Sequence, residues 1–146
     1  MLVQESPDTS EEGSFLAVDH TADWAITVHG SDLKQLFIFA ALGMNSLMFA
    51  EKGSIPLNVN KRIRLSAIDS ESLLVEWLGE LAFWAEIESL VFNTFEFKEF
   101  EPNSLDVTLT GGVVPMIEKH IKAVTFHELS IVETDFGLKT TIVFDV

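Results

Sequence analysis

The fold is decided by the stretch WAITVHGSDLKQLFIFAALGMNSLMF, which occupies residues 24–49. Its first part alternates large apolar side chains with small or polar ones and stops at Gly30, a pattern typical of a half-buried β-strand. Ser31 is then predicted to be the N-cap of a helix, with Asp32 in the first turn, because apolar residues recur at helical spacing as far as about Phe49. This helix is apolar around much of its circumference, which indicates deep burial.

A second helix and further strands are predicted around this stretch. Ser70 is predicted to cap the second helix, whose apolar stripe runs to near Ser89. Gly111 and Gly112 are expected to end one strand, and Asp135–Gly137 to form a hairpin turn. Alternating or apolar runs predict the remaining strands at residues 15–18, 59–68, 91–98, 105–109, 120–131 and 138–146. Two helices and about seven strands in mixed order predict an α+β protein, a two-layer sandwich with both helices packed on a mainly antiparallel sheet.

Composition limits the classes of protein to which the chain can belong. It has 146 residues, 47% of them hydrophobic, a net charge of −14 and no cysteine. These values predict one domain at 14–146 with a real core, after a flexible acidic tail at 1–13. The charge disfavours direct binding of nucleic acid or an anionic membrane, and the lack of thiols excludes disulfides and zinc–thiolate sites. Since no signal peptide or membrane-length apolar run occurs, we expect a cytoplasmic protein, and a monomer because no apolar stripe is left over.

The strongest functional signal is Asp19-His20-Thr21-Ala22-Asp23, just before the first strand of the fold-deciding stretch. Two acids, an imidazole and a hydroxyl are more polar groups than the start of a strand requires. The sequence ends in Asp145-Val146, so a side-chain carboxylate lies next to the α-carboxylate. If the fold joins these two regions, carboxylates about 4 Å apart repel by roughly 4 kcal/mol at an effective dielectric of about 20, unless a cation binds between them. Hard divalent cations prefer such all-oxygen sites.

Several elements taken together resemble the archease family. They are Asp19–Asp23, the Gly30 turn with its following helix, Leu73–Leu78, Ile121–His127 and Phe144–Val146. Their order and spacing match the family from about residue 15 to residue 146. The His-Thr-Ala-Asp element together with the Lys-Ala-Val-Thr-aromatic-His element is a specific combination, whereas either one alone would be a weak signal.

The resemblance implies a non-catalytic activator of an RtcB-type RNA ligase. That ligase uses GTP and manganese to join RNA ends bearing a 2′,3′-cyclic phosphate or 3′-phosphate to a 5′-hydroxyl. The activator would promote guanylylation of the ligase and multiple turnover in tRNA splicing and RNA repair. The resemblance also implies a bound divalent cation, calcium or else magnesium or manganese, with Asp23, Asp145 and Val146 as its ligands and no catalytic residue in this chain.

Other polar residues in these elements are expected to support the cation site or to face the partner. They are Asp19, His20, Thr21, Lys122 and His127. His20 could orient the neighbouring ligand Asp23, while Lys122 could neutralise the carboxylates, contact a phosphate or simply lie on a strand face. Two positions depart from the usual family pattern: Phe126 replaces a tyrosine, and Gly112 stands where a glutamate is common.

Two other functions stay open at the level of sequence. One is a chaperone-like modulator of a tRNA-modifying methyltransferase. The other is a small metal-dependent phosphohydrolase that uses His20, Asp23 and Asp145 around a water-activating cation. The hydrolase is disfavoured because the sequence shows no second carboxylate or histidine cluster to serve as a general base. Strong binding of GTP or RNA by this chain alone is not expected, since it has no Gly-rich phosphate loop.

Overall fold

The computed structural model describes residues 3–5, 12–19, 24–49 and 55–146. Within these ranges the helices are α1 (Leu33–Met48) and α2 (Ser70–Glu88). The strands are β1 (Val3–Glu5), β2 (Gly13–Asp19), β3 (Trp24–Gly30), β4 (Val59–Ser66), β5 (Leu90–Glu101), β6 (Ser104–Val113), β7 (Ala123–Thr125), β8 (Val132–Thr134) and β9 (Gly137–Asp145).

The strands form two antiparallel sheets. The six-stranded sheet joins β1, β2, β3, β9 and β7 in that order, and β8 also pairs with β9. The three-stranded sheet joins β4, β6 and β5. Two helices on antiparallel strands confirm the predicted α+β class, with the strands divided between two sheets. The sequence did not predict the three-residue strands β1, inside the expected tail, and β8, which the predicted turn at Asp135–Gly137 joins to β9.

Helix α1 lies in the core and connects the two sheets. It packs against β2, β3 and β5 as well as against α2. Its residues Leu36 and Met44 are fully buried, as the apolar circumference predicted. Helix α2 is joined to it through Trp77, whose Nε1 donates a hydrogen bond of 2.9 Å to the carbonyl oxygen of Phe37. The Trp77 ring also meets Phe95 edge-on, with 5.5 Å between ring centres, so α2 is fixed between α1 and β5.

Both helices begin with an aspartate N-cap, and both predicted N-caps are wrong by one residue. Asp32 caps α1 instead of Ser31, and Asp69 caps α2 instead of Ser70. Each aspartate accepts a 2.8 Å hydrogen bond from the backbone N–H three residues ahead. A carboxylate accepts this bond as a hydroxyl does, and its charge also suits the positive end of the helix macrodipole. The bond from the Ser72 N–H accordingly lowers the pKa of Asp69.

Strand β6 continues through the two glycines that were expected to end it. It runs to Val113 and stays paired with β5 beyond Gly111. A Cβ atom on Gly111 would overlap the carbonyl oxygen of Val91. The glycine therefore permits a close approach of two backbones and does not mark a turn.

The strand predicted at 120–131 is also wrong, since only β7 forms a strand within that range. A turn follows β7, closed by a 3.0 Å hydrogen bond from the N–H of Leu129 to the carbonyl oxygen of Phe126. Within this turn Glu128 has a φ of 54°. A continuous strand requires an extended backbone at every residue, so this conformation ends the pairing that the alternating pattern had suggested.

Candidate functional site

The strand ends that adjoin the two sequence signals, Asp19–Asp23 and Asp145-Val146, lie at the same end of the six-stranded sheet. In the strand register Asp19 pairs with Trp24, and Trp24 pairs with Phe144, the residue before Asp145. The β2–β3 hairpin that carries the first signal therefore lies beside the end of β9, which carries the second. The paired residues Asp19, Trp24 and Phe144 form a row across three strands. We call this row, together with Asp145 and Val146, the acidic edge.

Asp145 and Val146 are the predicted ligands that the structure describes. The backbone oxygen of Asp145 accepts a 2.7 Å hydrogen bond from the N–H of Lys122. The Asp145 side chain is exposed and has no bonding partner among the described residues, while Val146 is half-buried. Carboxylate and carbonyl oxygens are the donors that calcium, magnesium and manganese prefer, so these two residues fit a cation of that class.

The remaining predicted ligand, Asp23, lies outside the described residues, together with His20 and Thr21. Asp19 is described only by the backbone pairing given above. Within the described ranges, no group of three or more His, Cys, Asp or Glu residues could hold a metal ion. The divalent cation site at the acidic edge therefore stays a prediction.

A lysine that the sequence pattern did not single out also reaches the acidic edge. The Nζ atom of Lys119 lies 4.3 Å from the centre of the Trp24 ring. A cation over an indole face contributes roughly 0.5–1 kcal/mol at an exposed site. Lys119 belongs to the irregular segment between β6 and β7, where no periodicity could have shown which side chains point toward Trp24.

Lys122 and His127 both face solvent, which suits contact with a partner better than support of a buried ligand. Lys122 is exposed, and the side chain of His127 is 61% exposed with its Nε2 atom 3.8 Å from Oε2 of Glu128. Phe126, in the same turn, is 59% exposed. Its lack of a hydroxyl, the first departure from the family pattern, therefore leaves no buried polar group without a partner.

The second departure from the family pattern, Gly112, has a steric reason. A Cβ atom at this position would lie 2.6 Å from the carbonyl oxygen of Pro56. That contact is closer than van der Waals packing allows, so this backbone has no room for the glutamate that is common in the family.

The outer face of the three-stranded sheet holds a second polar cluster, which the sequence analysis did not predict. Arg62 donates from Nε and Nη2 to the two carboxylate oxygens of Asp106, at 2.9 and 2.7 Å. Arg64 Nε lies 3.4 Å from Asp106 Oδ2. The hydrogen bonds from Arg62, with the charges of both arginines, lower the pKa of Asp106 to about 2. This cluster lines a shallow depression of about 400 Å³ together with Lys98 and Glu99.

Known proteins are similar to this chain in sequence and in fold. The model of the archease protein family matches residues 15–146. The chain is 30% identical to protein archease of Methanosarcina barkeri, over 94% of this chain and 99% of that protein. It is 31% identical to protein archease of Methanothermobacter thermautotrophicus, over 88% of this chain and 95% of that protein.

Two solved structures superpose on this chain. The solution structure of protein 1598 from Methanobacterium thermoautotrophicum has a TM-score of 0.70 and 30% identity, and the match covers 94% of this chain and all of that one. The crystal structure of a Thermotoga maritima archease, described as a possible chaperone, has a TM-score of 0.62, with 88% of this chain and 94% of that one covered. At 23% identity the second structure supports the fold alone.

The fold and the acidic edge define a class of small α+β proteins. In this class, the ends of neighbouring strands place acidic residues at one end of a six-stranded sheet. The chain belongs to the archease family, as the resemblance in sequence implied. In the part of the chain that is described, no helix is long and apolar enough to cross a membrane.

Proposed function

We propose that this chain activates an RtcB-type RNA ligase by binding to it, in the cytoplasm, without catalysing a reaction itself. The observation that carries the proposal is membership of the archease family over residues 15–146. The net charge of −14 suits docking of the acidic edge onto a cationic surface near the nucleotide site of the ligase. Opposite charges on two partners raise their association rate and fix their orientation.

Activation in this proposal is a shift between conformations of the ligase. The chain binds the conformation competent for guanylylation more tightly than the others, and this difference in affinity raises the population of that conformation. Because the chain has no Gly-rich phosphate loop, binding of GTP and of RNA ends is left to the ligase.

A divalent cation would be held at the acidic edge by Asp23, Asp145 and Val146. Calcium, magnesium or manganese would supply there the positive charge that offsets repulsion between carboxylates. The Lys122 N–H fixes the backbone of Asp145 through a 2.7 Å hydrogen bond. His20, three residues before Asp23 in the sequence, would orient that ligand. The exposed side chains of Lys122 and His127 face the ligase.

The test is single-turnover guanylylation of the cognate ligase with GTP and manganese. Wild-type protein is compared with Asp23→Ala, Asp145→Ala and a matched control, Asp135→Ala, which removes an exposed carboxylate from the β8–β9 turn. We expect stimulation by the wild type and by the control, and its loss in the other two variants while circular dichroism shows them folded.

Other outcomes would redirect the assignment. Absence of stimulation by the wild type would contradict the proposal and favour the modulator of a tRNA methyltransferase, to be tested by copurification with that enzyme. Stimulation that survives both substitutions would keep the activator and leave the acidic edge a structural role. Turnover of phosphoesters by this chain alone with Mn²⁺ would favour a phosphohydrolase.

A further inference from the structure

Large apolar side chains are exposed around the C-terminal end of α2. Phe83 and Ile87, one turn apart on the helix, are 50% and 59% exposed, and Val113 and Met116 in the chain near that helix end are 57% and 66% exposed. A 2.9 Å hydrogen bond from the N–H of Val114 to the residue that caps α2 holds this segment against the helix. We call these side chains the apolar patch. Single exposed apolar residues are ordinary, but several around one helix end mark an interaction surface.

The helical part of the apolar patch lies on the side of α2 that faces away from the core. On one flank Trp84 is turned toward β4, where the Nζ atom of Lys61 lies 4.0 Å from its ring centre. On the other flank His120 Nδ1 lies 2.6 Å from Glu86 Oε2. The exposed stripe falls between these two contacts on the helix circumference, so no described element of the chain covers it.

Acidic side chains lie along α2 before and after the helical part of the apolar patch. Helix α2 contains no lysine or arginine, and its charged residues are Glu71, Glu76, Glu80, Glu86 and Glu88. Glu76 and Glu80 precede Phe83 and Ile87 along one face, since positions spaced by three or four residues form a single helical stripe. A segment that covers the patch therefore meets apolar groups with carboxylates beside them.

Two of these acids lie where the helix itself disfavours them. Glu86 and Glu88 are in the last turn of α2, where the macrodipole places partial negative charge and basic residues are preferred. Glu86 is near His120, but Glu88 is exposed and has no partner among the residues described. The macrodipole disfavours carboxylates at this end, whereas a cation brought by another molecule would be attracted both by them and by the helix carbonyls.

We infer that the apolar patch is the docking surface for a basic amphipathic segment of a partner protein. Apolar side chains of that segment pack on Phe83 and Ile87, and its lysine or arginine side chains lie beside Glu80 and Glu88. The charge complementarity selects a cationic partner, because an acidic or neutral segment would leave the carboxylates of α2 without compensation. The inference does not require that the partner be the ligase.

The test is an NMR titration of the full-length ¹⁵N-labelled protein with two synthetic peptides of identical leucine and lysine composition. One peptide has the residues in amphipathic helical order and the other in scrambled order. We expect the amphipathic peptide to bind more tightly and to shift amides near residues 80–88 and 113–118. The double substitution Phe83→Ser with Ile87→Ser should weaken its binding about tenfold. The matched control Phe136→Ser, which alters a 91% exposed ring on the β8–β9 turn, should bind as the wild type does.

Three results would overturn the inference. They are amide shifts spread over the whole protein surface, equal binding of both peptides, and undiminished binding of the amphipathic peptide by the double variant. If the proposed ligase activation is wrong, the wild-type protein will not stimulate guanylylation of the ligase. That result would leave the outcome of the peptide titration unchanged. The two ideas can therefore fail separately.

Discussion

The carboxylates of Asp106 and Asp145 have opposite surroundings in the same small protein. Asp106, on the outer face of the three-stranded sheet, is 10% exposed and is held by Arg62 and Arg64. Asp145, at the acidic edge of the six-stranded sheet, is exposed and contacts Lys122 only through its backbone among the residues described. A carboxylate that the chain neutralises itself contributes to the fold, and one that it leaves open is available to a cation or a partner. Substitutions in the three-stranded sheet should therefore reduce stability, and substitutions at the acidic edge should reduce binding.

The largest effect is expected from filling the close approach of β5 and β6. Gly111→Ala places a Cβ against the carbonyl oxygen of Val91, and we expect it to lower the free energy of unfolding by about 3 kcal/mol. Gly79→Ala is the matched control, because nothing lies within 4 Å of its added Cβ and α2 should gain about 0.5 kcal/mol. Urea unfolding measures both values. Equal stability of the two variants would show that the three-stranded sheet is not rigid at this point.

A somewhat smaller effect is expected from calcium at the acidic edge. A cation that binds only the folded protein adds about 2.7 kcal/mol when its concentration is about 100 times its Kd. Melting temperatures with calcium and with a chelator should differ for the wild type and for Asp106→Asn, but not for Asp145→Ala. If calcium raised the melting temperature of Asp145→Ala as much as that of the wild type, the exposed carboxylate of Asp145 would not be a calcium ligand. The proposed contrast between Asp145 and Asp106 would then be wrong.

The smallest effect is expected from acid, and it belongs to Asp106. Its folded pKa of about 2 is below the value of about 3.9 usual for an unfolded aspartate. The stabilising contribution is therefore complete above about pH 4 and is lost as the pH falls toward about 2, because only the unfolded state readily binds the proton. Urea midpoints measured across this range should fall more steeply for the wild type than for Asp106→Asn. Asp135→Asn, an exposed control, should show the same pH dependence of the urea midpoint as the wild type. An equal pH dependence in all three proteins would show that the Asp106 carboxylate does not stabilise the fold.

Helix α1 and the fold class could be predicted from sequence because their signals are local. The apolar circumference of α1 is visible within the stretch itself, and so is the alternation of β3. The N-caps were misplaced because serine and aspartate are neighbours at Ser31–Asp32 and Asp69–Ser70, and either side chain can accept the capping bond. The break at Glu128 was missed because an alternating pattern does not show a positive φ.

The two polar sites needed information that no local pattern contains. Arg62 and Asp106 are 44 residues apart, and their pairing depends on the register of β4 against β6. Neither residue alone carries a signal of the other, so the sequence did not predict their pair. The approach of the β2–β3 hairpin to the end of β9 was suggested by unexplained polar residues and by the family resemblance. The position of Lys119 could not be predicted, because it depends on the path of an irregular segment.

The position of β9 within the six-stranded sheet has a consequence for how the protein is made. Thr27 in β3 and Thr141 in β9 lie 114 residues apart and share a hydrogen-bonding contact of 3.1 Å. During synthesis the β2–β3 hairpin must therefore wait, with one edge unpaired, until almost all of the following chain has left the ribosome. An unpaired strand edge is a template for pairing with other chains, so we expect nascent chains stalled before β9 to aggregate and to recruit chaperones, whereas released chains do not.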